Sequence, residues 1–236
     1  MKIENLPSPN HDDRKGVKPS FIILHYTGME TAQQALQRLT DPESKVSAHY
    51  TIDEDGSAYC HVDEDRRAWH AGFSCWQDET DINAHSIGIE IVNPGHEWGY
   101  RPFTGPQMKT LIPLCREIMQ RWDIEPESVL AHSDVAPARK QDPGEYFPWR
   151  DLAAHGIGVW PSQSDDDMVK GQAINIERAL HHYGYDPRVK LRDKLTAFQR
   201  HFVPEAFVNG QAGEADNLTR VRLYALLAGH FLEPSS

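Results

Sequence analysis

The hydrophobic residues of the first 160 positions form two kinds of pattern, short continuous apolar runs and runs with helical spacing. Continuous runs of strand length are typical of central strands that are buried on both faces. Such runs predict strands at residues 21–25, 86–92 and 129–131. Two further strands are predicted at 46–52 and 57–62, because the intervening sequence DEDG is a hairpin turn signal.

Apolar residues spaced three and four positions apart predict helices between these strands. The clearest is 106–122, for which Thr104 is a suitable N-terminal cap. Shorter helices are predicted at 31–39 and 148–154. Residues 1–19 are polar and rich in proline and charge, and we interpret them as an arm that leads into the first strand.

The strand patterns stop near Trp160, where the composition of the chain changes. The polar residues 161–168 predict a linker of the kind that separates domains. Beyond it, helical spacing predicts three helices at 169–183, 194–202 and 218–231. The sequence therefore predicts an α/β domain over residues 1–160, followed by a small three-helix bundle over 169–236.

Composition and charge narrow the range of functions. The chain of 236 residues carries a net charge of -11, which argues against a nucleic-acid partner because no basic face is needed. No run approaches the roughly 20 apolar residues that span a bilayer. Glu4 and two early prolines interrupt any signal-peptide core, so we expect a soluble cytoplasmic monomer, or an envelope protein if this is a mature form. Three cysteines without CxxC spacing do not predict a disulfide framework.

Two histidines and one aspartate are candidate metal ligands. His25 and His132 each follow a buried strand, where loops gather and ligands bind in α/β folds. Asp142 lies in a proline-bounded loop that can fix its position. Imidazole and carboxylate groups suit Zn²⁺, and three such ligands leave a fourth position for water. The pattern predicts one zinc ion per chain, assisting the hydrolysis of an amide.

Glu90 and Lys140 are the candidate catalytic residues beside this zinc site. Glu90 is a carboxylate inside an apolar strand, where it could accept the proton of the attacking water. The alternative is a structural carboxylate paired with Arg66 or Arg67. Lys140, two residues before Asp142, could stabilise the oxyanion, although most lysines in loops are simply solvated.

Three further residues leave two interpretations open. His49, Trp69 and His70 are candidates for contact with substrate, since tryptophan beside glycine in the sequence AWHAG suits sugar or peptide. Trp69 and His70 could equally pack within the protein. His49 is more typical of a structural histidine than of a metal ligand.

Five motifs in sequence order resemble one known family. They are FIILHYTG, VSAHYTIDEDG, RRAWHAG, SIGIEIVN and AHSDVAPARKQDPG, and they resemble the zinc-dependent N-acetylmuramoyl-L-alanine amidases of the AmpD/AmiD type. The resemblance covers about residues 5–160. It implies a mixed β-sheet flanked by helices, zinc on His25, His132 and Asp142, Glu90 as the catalytic carboxylate and Lys140 as its partner.

The same resemblance implies a substrate. It would be peptidoglycan or anhydro-muropeptides, cleaved between the lactyl group of N-acetylmuramic acid and L-alanine, for cell-wall turnover or recycling. A peptidoglycan recognition module that binds without cutting is the alternative function. The sequences INIERALHHYGYD and LTAFQRHFVPE resemble part of a three-helix peptidoglycan-binding domain, for which the alternative is a bundle that only stabilises the catalytic part.

Overall fold

The computed structural model describes residues 2–234 and has a six-stranded mixed sheet at its centre, in the order β1-β5-β4-β7-β3-β8. Strands β4 and β5 are antiparallel, and the other neighbouring pairs of this sheet are parallel. Strands β2 and β6 form a separate antiparallel pair. The strands are β1 Ile3–Asn5, β2 His11–Asp13, β3 Phe21–Tyr26, β4 Tyr50–Ile52, β5 Ala58–Cys60, β6 Arg66–Ala68, β7 Ser86–Ile91 and β8 Val129–Ala131.

Helices cover both faces of the sheet. The α-helices within residues 2–234 are α1 Ala32–Thr40, α2 Ile82–His85, α3 Gly95–Trp98, α4 Gly105–Trp122, α5 His132–Val135, α6 Trp149–Ala154, α7 Asp165–Lys170, α8 Ile176–Tyr183, α9 Leu191–Phe202, α10 Glu205–Val208 and α11 Asn217–Leu227. Short 3-10 turns occur at Pro42–Ser44, Pro126–Ser128 and Gly171–Ala173. This architecture confirms the predicted mixed α/β fold.

Alternation along β3 divides the core into two layers. Ile22 and Leu24 point to one face of the sheet, where they share a buried cluster with Leu111 and Ile118 of α4. The predicted cap at Thr104 is present, as part of a capping box with Gln107. Each isoleucine or leucine buried in this way contributes about 1.5–3 kcal/mol.

The opposite face of the sheet is covered by the C-terminal helices, by which we mean α7 to α11. Ile23 and Leu130 of the sheet belong to the same buried cluster as Phe198 and Phe202 of α9 and Leu223 of α11. One buried cluster therefore joins the sheet to the C-terminal part of the chain, and the C-terminal helices cover the second face of the sheet.

The predicted linker is wrong over most of its length. Ser164 caps α7 in a capping box with Asp167, whose buried carboxylate also lies 2.9 Å from His230 Nδ1. Pro161 pairs with Phe231 in an isolated β-bridge. The run of aspartates that resembled a polar linker is instead the first turn of a helix, where negative charge is favourable.

Other boundaries also differ from the sequence patterns. The helix predicted at 169–183 is interrupted before α8, because Ile174 and Asn175 are extended and the side chain of Asn175 caps the start of α8. The last helix ends at Leu227 rather than at 231. The polar arm at the N-terminus contains β1 and β2, and β1 forms the edge of the central sheet, where it pairs with β5.

The parallel strands β3, β7 and β8 end at the same edge of the sheet. His25 on β3 is the register partner of Glu90 on β7, and β8 leads directly into α5, which begins at His132. Three of the candidate residues therefore reach one edge through the topology alone. Within residues 2–234, no helix is both long and apolar enough to cross a membrane.

Candidate active site

His25, His132 and Asp142 converge on one point. The Nδ1 atoms of the two histidines lie 2.8 Å apart, and Asp142 Oδ2 lies 3.0 Å from His25 Nδ1 and 2.8 Å from His132 Nδ1. All three residues are buried. The amide of Ser133 donates to the carbonyl of Asp142 at 2.9 Å, which holds the two ends of the connecting loop together. The structure thus places the predicted set of ligand atoms within reach of one ion.

The chemistry of this set fits a divalent cation. His132 Nε2 lies 3.0 Å from the carbonyl oxygen of Ala71, which can only accept, so Nε2 carries the proton. Nδ1 of His132 then faces the carboxylate oxygen of Asp142 at 2.8 Å and Nδ1 of His25, also at 2.8 Å. When a ring nitrogen and the carboxylate oxygen each turn a lone pair to the other at this distance, they repel each other unless a cation lies between them. Two imidazoles and a carboxylate are a zinc-binding set.

The shifted pKa values of His25 and Asp142 favour the protonation states that bind a metal ion. Burial, followed by the neighbouring His132, lowers the pKa of His25 to about 4. Burial alone would raise the pKa of Asp142, but the adjacent His132 and His25 hold that pKa well below its usual range. At neutral pH His25 is neutral and Asp142 is ionised, as metal coordination requires.

Glu90 lies beside the three ligands, in a different electrostatic state. Burial raises the pKa of Glu90 well above its usual range, the charge of Asp142 raises it further, and the charge of Lys140 opposes the shift. Among the described residues, Glu90 Oε2 has no hydrogen-bond partner. Arg66 pairs with Asp13, and Arg67 pairs with Asp12 and Asp81. The alternative of a structural ion pair with either arginine is therefore wrong.

These residues line a cavity of about 330 Å³. Glu90, His132 and Asp142 contribute to its wall together with Lys140, Trp69 and His70. The cavity therefore brings most of the predicted site residues together. Trp69 Nε1 donates to Asp12 at 2.7 Å, which fixes the indole at the cavity wall.

The structure corrects the prediction that His49 contacts substrate. Its side chain is fully buried, its Nδ1 accepts from the Gly88 amide at 2.9 Å, and its Nε2 lies 3.1 Å from the carbonyl of Arg66. Burial, followed by the charge of Arg14, lowers the pKa of His49 to about 3. Because the ring is fully buried and is not part of the cavity wall, the prediction that it contacts substrate is wrong. The structural interpretation of this residue agrees with its hydrogen bonds.

The sequence patterns did not identify two residues that shape the cavity. Tyr26 follows His25 on β3, lines the cavity and lies 2.9 Å from His96 Nδ1 through its hydroxyl oxygen. Arg139 donates to the carbonyls of Ala71 and Phe73, at 2.7 Å each, and so joins two loops of the cavity wall. Neither residue had a sequence signal, because both roles depend on loops that meet only in the folded chain.

A buried network connects the C-terminal helices to the turn that carries His132. Asp134 Oδ2 accepts from the amide of Ala131 at 2.9 Å and from His201 Nδ1 at 2.7 Å. Asp134 Oδ1 accepts from the hydroxyl of Tyr185 at 2.6 Å. The carboxylate thereby ties the backbone before His132 to α9 and to Tyr185, two residues after the end of α8. No sequence pattern predicted this connection.

The fold and the site together define a class of protein. A mixed sheet carries two histidines and an aspartate at the ends of its parallel strands, and a second, protonatable carboxylate faces the same cavity. Such an arrangement is typical of a hydrolase that uses a single metal ion.

The particular family follows from comparison with known proteins. The profile of a family described as N-acetylmuramoyl-L-alanine amidase matches residues 15–145. N-acetylmuramoyl-L-alanine amidase AmiD of Escherichia coli (strain K12) is 37% identical over 231 residues, which cover 87% of this chain and 81% of AmiD. The chain belongs to this amidase family. The resemblance inferred from the five motifs is confirmed, and so is the prediction that the protein is an enzyme.

Solved structures agree with this assignment. The complex of E. coli AmiD with the substrate anhydro-N-acetylmuramic acid-L-Ala-D-gamma-Glu-L-Lys has a TM-score of 0.77 and 34% identity, and the match covers 93% of this chain and 91% of that chain. AmpDh3 from Pseudomonas aeruginosa, in complex with anhydromuramic pentapeptide, has a TM-score of 0.79 and 30% identity, with 95% and 96% covered. Both matches include the C-terminal helices as well as the sheet.

Proposed function

We propose that the protein uses zinc to hydrolyse the amide between N-acetylmuramic acid and L-alanine in peptidoglycan or anhydro-muropeptides. His25, His132 and Asp142 would hold the ion. The observation that carries the proposal is the convergence of two Nδ1 lone pairs and a carboxylate oxygen in a buried cluster. The muropeptide ligands of the AmiD and AmpDh3 complexes support the choice of substrate.

Bound zinc would supply a Lewis acid and lower the pKa of water at its open position to about 7. Glu90 accepts the proton of the attacking water at its side-chain oxygen and delivers that proton to the leaving nitrogen of L-alanine. The raised pKa of Glu90 suits this exchange, because burial makes this carboxylate a stronger proton acceptor than an exposed glutamate.

Lys140 would stabilise the negative charge that develops on the substrate carbonyl oxygen. Its place in the cavity wall, beside Asp142, supports this role. Trp69 and His70 line the same cavity, and we retain Trp69 as a residue that contacts the sugar or the stem peptide. His70 also contacts His25, with its Nδ1 3.0 Å from His25 Nε2.

For the C-terminal helices we propose a structural role first. Their core is continuous with the sheet, and Tyr185 and His201 bond to Asp134, in the helical turn that begins at His132. Binding of peptidoglycan by residues 169–236 stays a prediction, which retention of the protein on purified sacculi, at a pH where the enzyme is inactive, would test. The cellular compartment and the monomeric state also stay predictions.

The activity can be tested with anhydro-N-acetylmuramyl peptide and purified protein. We expect release of free stem peptide, measured by chromatography and mass spectrometry. Dialysis against a chelator should abolish release, and stoichiometric zinc should restore it. Binding of the muropeptide without release would favour the alternative recognition module. Release that resists complete removal of metal would contradict the zinc mechanism.

A further inference from the structure

We propose that His70 and Ser86 are positioning residues that fix the tautomer of His25. His70 lies between the two, with its Nδ1 3.0 Å from His25 Nε2 and its Nε2 3.2 Å from Ser86 Oγ. This inference rests on the proposed function, in which Nδ1 of His25 is a zinc ligand.

The direction of each hydrogen bond follows from Ser86, the residue of this series that lies farthest from the metal ligands. Ser86 Oγ lies 2.5 Å from the carbonyl of Ile82, and a hydroxyl has one proton to donate. Since a carbonyl only accepts, Ser86 donates to Ile82 and must accept from His70. The Nε2 atom of His70 therefore carries its proton, and Nδ1 of the neutral ring carries the lone pair.

The same reasoning extends to His25. The lone pair on His70 Nδ1 accepts from His25 Nε2, so the proton of His25 lies on Nε2. Its Nδ1 then presents a lone pair to the point shared with His132 and Asp142. The opposite tautomer would place a proton on Nδ1 and prevent coordination. The carbonyl of Ala71 holds the proton of His132 on Nε2 in the same way, so both rings present Nδ1 to the metal site.

A glycine provides the space that this arrangement needs. A Cβ at Gly88 would lie 2.4 Å from Cγ of His70, so the imidazole rests directly on the backbone of β7. Glycine inside an apolar strand often marks such a close approach. The ring also lies edge-on to His25, with the centroids 5.1 Å apart, and it has little freedom to turn.

The expected loss of zinc affinity can be taken from other residues that orient metal ligands. Loss of such a partner typically weakens metal binding by about 10–100-fold. We expect Ser86→Ala to weaken zinc binding within this range, because His70 can then adopt either tautomer. Ser86→Ala should add nothing further in a His70→Ala background, since Ser86 acts only through His70.

Ser8 offers a matched control for the substitution. Its buried hydroxyl also donates to a carbonyl at 2.5 Å, that of Leu39, and accepts from the amide of Asn10 at 3.3 Å. Ser8→Ala removes equivalent bonds at a place that contacts none of the three ligands. It should leave zinc affinity unchanged, whatever it does to stability.

The test is zinc affinity, measured by competition with a chromophoric chelator, for wild type, Ser86→Ala, Ser8→Ala and the His70→Ala variants. Equal affinities for the Ser86→Ala and Ser8→Ala proteins would overturn the inference. So would additive losses in the double variant. Failure of the wild type to bind zinc would instead overturn the proposed function.

A second measurement does not depend on zinc. Long-range ¹H–¹⁵N correlation spectra of metal-free protein labelled in histidine distinguish the two imidazole tautomers. We expect His25 and His70 of the wild type to carry their protons on Nε2, and Ser86→Ala to give a mixture at His70. A proton on Nδ1 of His25 in the wild type would overturn the inference even if zinc binds.

Discussion

Removal of the Tyr185 hydroxyl tests how strongly the C-terminal helices are coupled to the site. In the described residues, Asp134 Oδ1 accepts only from this hydroxyl, while Oδ2 keeps the amide of Ala131 and the ring of His201. Hydrogen bonds to charged groups contribute about 1.5–3 kcal/mol, and a buried carboxylate cannot replace the lost donor with bulk water. We therefore expect Tyr185→Phe to lower the free energy of unfolding by about 1.5–3 kcal/mol.

The assay is equilibrium unfolding in urea at neutral pH, with metal-free protein. Tyr183→Phe is the matched control, because Tyr183 belongs to the same aromatic cluster, 6.3 Å from Tyr185 between ring centroids, and its hydroxyl bonds to no described residue. That control should change stability by less than about 0.5 kcal/mol. Equal midpoints and slopes for the two variants would refute the claim that the Asp134 network stabilises the fold.

Three other predictions concern the site and the domain boundary. Glu90→Gln should keep zinc and lower kcat by about 10²–10⁴-fold, because the amide cannot take the proton of water; near-normal turnover of anhydro-muropeptide would refute the assignment of the base. His132→Ala and Asp142→Ala should each lose zinc, measured by metal analysis after gel filtration, and a full complement of zinc would refute their role. A chain that ends at Trp160 should aggregate, because Ile23 and Leu130 lose their cover; a monomer with cooperative thermal unfolding would refute the shared core.

Much of the catalytic part could be predicted from the sequence, because its signals are local. Continuous apolar runs marked β3, β7 and β8, and parallel strands bring their ends to one edge. His25 lies near the end of β3, and His132 follows β8 directly. The role of Glu90 could be predicted because burial of an unpaired carboxylate in an apolar strand costs free energy, which makes such a residue a candidate for function.

The remaining features depend on contacts between distant segments. The aspartates at 165–167 looked like a linker, since composition alone does not distinguish an exposed loop from a capped helix. His49 and His70 cannot be told apart by local pattern, yet His49 is fully buried with its ring bonded to the Gly88 amide, and His70 lies against His25. The hydrogen bonds of Asp134 with Tyr185 and His201 join residues more than 50 positions apart, which no local pattern reveals.

The central claim is that His25, His132 and Asp142 hold one zinc ion, and anomalous diffraction at the zinc edge tests it most directly. A crystal of the zinc-loaded protein should give one strong peak at about 2.0–2.2 Å from Nδ1 of both histidines and from a carboxylate oxygen of Asp142. A peak bound by other residues, or fully active crystals with no peak between these three side chains, would contradict the account.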